Sequence, residues 1–160
     1  MKPDVAGPSP DEHLWRALAA VYQGVLRDLV AALERDAGID SGVYSALAYL
    51  ERADPPGRLP LRTLQELMHV RYSQPGLSRL VQRMEEDGLV KRRRAAHDGR
   101  ALHVVITRAG RARFRRAHDV YRAALHEHLG RHVGPADASR LARALHGLAG
   151  TLAAGAAARS

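Results

Sequence analysis

The residues best equipped for chemistry in this chain crowd into one short stretch, and their chemistry is hydrogen bonding rather than bond making. Ser73, Gln74, Gly76, Ser78, Arg79, Gln82 and Arg83 fall within eleven positions. Arginine meets a guanine edge or a phosphate through paired N–H groups, glutamine pairs with adenine, and serine serves either. Arg79 and Arg83 are four residues apart and share one face of a helix. Arg79, beside Ser78 near the helix start, is the stronger candidate for direct DNA contact. At Arg83 a phosphate contact competes with an ion pair to Glu85 or Glu86, and spacing leaves both open.

Such a face needs a helix, and the periodicity predicts one. Leu77, Leu80, Val81 and Met84 recur at helical spacing as one buried stripe. Ser73 is the expected N-cap, Pro75 is tolerated in the first turn, and Gly88 is the expected stop. Two strands follow, at 89–94 and 101–107, with Leu102, Val104 and Ile106 alternating inward and His97-Asp98-Gly99-Arg100 as the turn. Lys91, Arg92, Arg93 and Arg94 form a basic run on the first strand, where alternation lets only two face the same way. A recognition helix followed by a basic hairpin is a winged helix-turn-helix. Arg94, Asp98 and Arg100 therefore join the candidate DNA-binding residues.

The remaining elements must hold this stretch. Residues 1–10 read as a flexible tail. A long helix should start at Asp11 and stop near Gly38, with an apolar ladder of Leu14, Leu18, Val21, Val25, Leu29 and Leu33. A second helix follows Asp40 or Ser41, with Val43, Ala46, Leu47 and Leu50 inward, and ends before Asp54-Pro55-Pro56-Gly57. Leu59-Pro60-Leu61 is a candidate short strand pairing with the wing. Leu64, Leu67 and Met68 mark the first helix of the helix-turn-helix. After the wing, Thr107 caps a long helix carrying Phe114, Ala117, Val120, Tyr121, Ala124, Leu125 and Leu129, broken at Gly134-Pro135. A last helix, about 136–153, carries Leu141, Leu145, Leu148 and Leu152.

The expected fold is mainly α: a winged helix-turn-helix lobe at 58–107, with long terminal helices at 11–57 and 108–155 forming a dimerisation region. Their apolar faces exceed what a small winged lobe covers, which implies a second copy as partner.

Charge points the same way. The chain nets +8, yet residues 58–116 hold fifteen basic against five acidic residues, a net of +10, so the remainder nets −2. A basic middle between near-neutral ends is the footprint of a nucleic-acid binder. Cysteine is absent, which removes disulfides and thiolate metal sites. With no signal-like start and no long apolar run, the expectation is a soluble cytoplasmic protein without a membrane partner. No phosphate loop, nucleophile elbow or zinc-protease motif is present, so an enzyme is not expected.

At Gly76-Leu77-Ser78-Arg79-Leu80-Val81, Arg83-Met84-Glu85, Gly88-Leu89-Val90, Asp98-Gly99-Arg100-Ala101 and Ile106-Thr107-Arg108-Ala109-Gly110 the sequence resembles the MarR family of bacterial transcription regulators. The resemblance implies a homodimer with a recognition helix in each major groove and Arg100 entering a flanking minor groove, with Asp98 orienting basic neighbours. It also implies a ligand-responsive regulator, most often a repressor, on a pseudo-palindromic operator, with an effector pocket between dimer helices and winged lobe. Trp15, Tyr22, Tyr44 and Tyr49 are candidates to line it, with His13 or Arg16 to meet an anion; core packing is the plainer role for each aromatic. Two alternatives accompany this reading. His128 and His132, at i and i+4 on the helix after the wing and near His118 and His126, could clamp zinc or another metal, although no cofactor is expected. Or the chain could act only through protein partners.

Overall fold

The computed structural model describes residues 7–94 and 102–157, with the backbone alone at 152, 153 and 155–157. In order come α1 (Pro10–Ala37), α2 (Ser41–Arg52), β1 (Arg58–Pro60), α3 (Leu61–Met68), α4 (Gln74–Glu86), β2 (Val90–Arg94), β3 (Leu102–Ile106), α5 (Arg108–Leu125) and α6 (Pro135–Ala157). A five-residue π-helical turn, His126–Gly130, follows α5. Two compact units result: residues 26–122, and residues 1–25 with 123–160.

The larger unit is built around one apolar cluster. Asp40 caps α2, its Oδ1 accepting from the backbone N–H of Gly42 at 2.8 Å and of Val43 at 3.1 Å. Ala46, Leu47 and Leu50 of α2 are fully buried against Leu64 of α3 and Leu77, Leu80, Val81 and Met84 of α4. The predicted short strand forms one residue earlier than expected, and the sheet runs β1-β3-β2, antiparallel throughout. Val90, Val104 and Ile106 point from it into the core, while Leu102, at the open end, is only half-buried. Leu67 departs from expectation at 44% exposure. In the eight-residue α3, Leu64 and Met68 stack one turn apart and take the inward face, which turns Leu67 out.

Four rings close the core. Tyr44 lies 5.8 Å from Phe114 and 5.0 Å from Tyr121, and its Oη is hydrogen-bonded to His118 Nδ1 at 2.9 Å. Burial, helped by Tyr121, pushes the Tyr44 phenol up from 10.0 to about 12. Its proton leaves the unfolded chain first, so the stability it lends is complete below pH 10 and lost as pH rises from 10 to about 12. A tyrosinate absorbance titration should show a last-ionising tyrosine, near pH 12, that Tyr44→Phe abolishes; a titration unchanged by Tyr44→Phe would contradict the burial argument.

In the smaller unit, apolar side chains are present but not covered. Of the α1 ladder only Leu29 and Leu33, both in the larger unit, are buried; Leu14 is 53% and Val21 54% exposed. Leu141, Leu145 and Leu148 repeat every turn of α6 and are 53%, 41% and 45% exposed. The long helix after the wing is also shorter than predicted. It loses α-helical register after Leu125, where the π turn brings the His126 ring against Gly130.

Candidate nucleic-acid interface

The helix-turn-helix consists of α3, the turn 69–73 and α4. Ser73 caps α4 as expected, its hydroxyl accepting from the Gly76 N–H at 3.3 Å. Gly88, with φ +69°, ends the helix in the left-handed conformation that glycine adopts without strain. Because Leu77, Leu80, Val81 and Met84 are each at most 1% exposed, the opposite face is fixed by geometry. It presents Ser78, Arg79, Gln82 and Arg83 to solvent, with Gln74 at the helix start.

The competing ion pairs do not form. Neither Arg79 nor Arg83 has a hydrogen bond or ion pair among the described residues. Glu85 is instead committed to the wing: it accepts from the Arg92 backbone N–H at 2.8 Å and from Arg92 Nε at 2.6 Å. Those two hydrogen bonds hold its carboxyl below the ordinary range. Glu86 accepts from Gln82 Nε2 at 3.0 Å. The two arginines are left with five N–H donors each and no internal acceptor.

Within the basic run, Arg92 is therefore a brace between wing and recognition helix. Lys91, Arg93 and Arg94 are exposed, and Arg94 ends β2 opposite Leu102. Asp98 and Arg100, with the predicted turn, lie outside the described residues. Gly76 presents no side chain and is half-buried, with Ser73 and Tyr72 beside it.

A groove of about 400 Å³ opens where α3 meets α4, lined by Arg62, Gln65, Glu66, His69, Tyr72, Ser73 and Gln74. The reading from sequence had not singled out Arg62, Gln65 or His69. Their signal is the polar side of α3, which carries the i, i+4 pair Arg62–Glu66 at 3.1 Å.

The four aromatics proposed for an effector cleft are divided between the two units. Trp15 and Tyr22 are 71% and 63% exposed in the smaller unit, while Tyr44 is in the core stack of the larger. Tyr49, five residues on from Tyr44, faces away from it on α2 and is 36% exposed. The two candidate metal-binding histidines lie beyond the end of α5. His128 lies in the π turn and His132 in the hydrogen-bonded turn beyond it, so the two do not share one continuous α-helix. No group of three or more metal-binding side chains occurs among the described residues.

A capped recognition helix with unpaired arginines, braced to a basic β-hairpin, defines a winged helix-turn-helix. Residues 37–101 match the model of the MarR family. Over that stretch the chain is similar to a family of transcriptional regulators that are not enzymes. Among solved structures it is similar to AbsC, a MarR family transcriptional regulator from Streptomyces coelicolor, with 26% identity, 92% of this chain and 97% of that chain covered, and a TM-score of 0.78. It also shares its fold with Sco3205 from the same organism, solved in complex with DNA (24% identity, 89% and 88% covered, TM-score 0.74). A MarR variant from E. coli complexed with operator DNA is a third (21%, 84% and 92% covered, TM-score 0.70). No curated protein matches the chain by sequence.

Proposed function

We propose that the chain binds double-stranded DNA sequence-specifically as a homodimer on a pseudo-palindromic operator, as a ligand-responsive repressor in the cytoplasm. The observation that carries the DNA reading is the exposed face of α4, whose Arg79 and Arg83 have no hydrogen bond or ion pair among the described residues. Ser73, Gln74, Ser78 and Gln82 extend that face, Arg94 carries it onto the wing, and Asp98 and Arg100 belong to the reading through the family motif. Two neighbours of the same fold were solved with DNA, which supports it further.

The uncovered apolar stripes support the dimer. Leu141, Leu145 and Leu148 on α6, with Leu14, Trp15, Val21 and Tyr22 on α1, expose more large apolar surface than a lone chain ordinarily keeps in water. The terminal helices at 11–57 and 108–155 would then serve as the dimerisation region and 58–107 as the DNA-binding lobe. No helix among the described residues is long and apolar enough to cross a membrane. Light scattering on the full chain should give twice 17.5 kDa at micromolar concentration. A monomer there would remove the dimer from this reading. Footprinting on the region upstream of its own gene should protect two patches about one helical turn apart; no protection would remove the operator.

A further inference from the structure

The turn between α3 and α4 does more than connect them. Tyr72, its penultimate residue, is half-buried, and its ring lies between two glycines. On one side is Gly42 in the first turn of α2. A Cβ there would run into Tyr72 Oη and lie 2.8 Å from its Cζ and 2.9 Å from Asp40 Oδ1. On the other side is Gly76 in the first turn of α4, where a Cβ would lie 3.6 Å from Tyr72 Cδ1. Neither glycine has a positive φ, so backbone freedom does not explain them; at Gly42 room does. The neighbouring Arg71 reaches the same end of α2, its Nη2 3.3 Å from Ser41 Oγ. The phenol is raised by burial and by Asp40 beside it, in keeping with a ring seated against the α2 cap.

We propose that Tyr72 is a positioning residue for DNA recognition: a rigid wedge that sets the spacing between the starts of α2 and α4, and so the height at which Gln74, Ser78 and Arg79 stand. A ring has few ways to yield. Pushed from the Gly42 side, it moves toward Gly76 and the α4 cap, or out into the groove it lines with Gln74. Either displacement reaches the base-reading end of the helix without touching a DNA-contacting side chain. The inference rests on the DNA-binding reading above.

The test uses the full chain and a labelled duplex from upstream of its own gene, with Gly42→Ala, Tyr72→Leu and the double variant. Gly42→Ala should weaken specific binding about tenfold, within the range of contact coupling energies. In the Tyr72→Leu background, where no ring obstructs, the same substitution should change affinity by less than about twofold. A merely structural role would not produce that dependence. Gly42→Ala binding like wild type, or an equal penalty in both backgrounds, would overturn the wedge alone. Should Gly42→Ala not fold, the double variant must fold and bind like Tyr72→Leu; if it does not, Tyr72 is not the obstacle and the inference falls. Wild type that binds this duplex no better than a scrambled one would overturn the DNA-binding reading and the wedge with it.

Discussion

Arg79→Ala is expected to weaken specific operator binding about tenfold or more, since a bidentate base contact contributes roughly 1–3 kcal/mol of discrimination. The melting temperature and the dimer should not change. Leu77, Leu80 and Val81 hold α4 in place with almost no exposed surface, and Arg79, between them in sequence but opposite in direction, touches nothing internal. Removing it leaves no buried group unsatisfied and no cavity, so the fold has no reason to respond. In the proposed dimer two such side chains, one per protomer, would then lose contacts only with DNA. Unchanged affinity would show that Arg79 does not meet DNA; a fall in melting temperature would show that it supports the fold.

Gly110→Ala should act in the opposite way, destabilising the fold by about 3 kcal/mol or more at a position remote from the recognition face. Gly110 is buried in the first turn of α5, where the backbone of Leu89 crosses it. A Cβ there would collide with the Leu89 carbonyl oxygen and lie 3.0 Å from its carbonyl carbon and 2.9 Å from Ile106 Cγ1. None of these is the end of a flexible side chain. The crossing is pinned by Thr107, whose Oγ1 donates to the Gly88 carbonyl at 2.7 Å and accepts from the Gly110 N–H at 3.0 Å. The spacing Thr-x-x-Gly is thus one joint between recognition helix, wing and α5. Denaturant unfolding should show the loss as a lower midpoint with an unchanged slope. A midpoint equal to wild type would mean the joint relaxes, against the packing described.

What was legible in sequence and what was not divides by distance along the chain. The recognition helix could be read because its evidence is local: a stripe at helical spacing, Ser73 before it and Gly88 after it. The same holds for Asp40 as a cap and for β2 and β3, whose alternation survives in Val90, Val104 and Ile106. Leu67 could not be assigned, because three apolar residues in an eight-residue helix satisfy more than one inward face. Whether Arg83 or Arg92 would claim Glu85 was equally undecidable: the pair that forms spans the corner between a helix and a strand. Tyr72 carried no signal at all, since its meaning depends on Gly42, thirty residues earlier. The π turn after Leu125 has no compositional mark, so the continuous α-helix assumed for His128 and His132 could not be checked from sequence.

The central claim is that the free face of α4 reads a DNA sequence. Fluorescence anisotropy of wild type on the duplex from upstream of its own gene, against a scrambled duplex of equal length and composition across a salt series, tests it most directly. The account predicts saturation at two chains per duplex, with affinity for both duplexes falling steeply as salt rises and a preference for the native duplex of about a thousandfold or more. Equal affinity for the two duplexes at every salt concentration would contradict it.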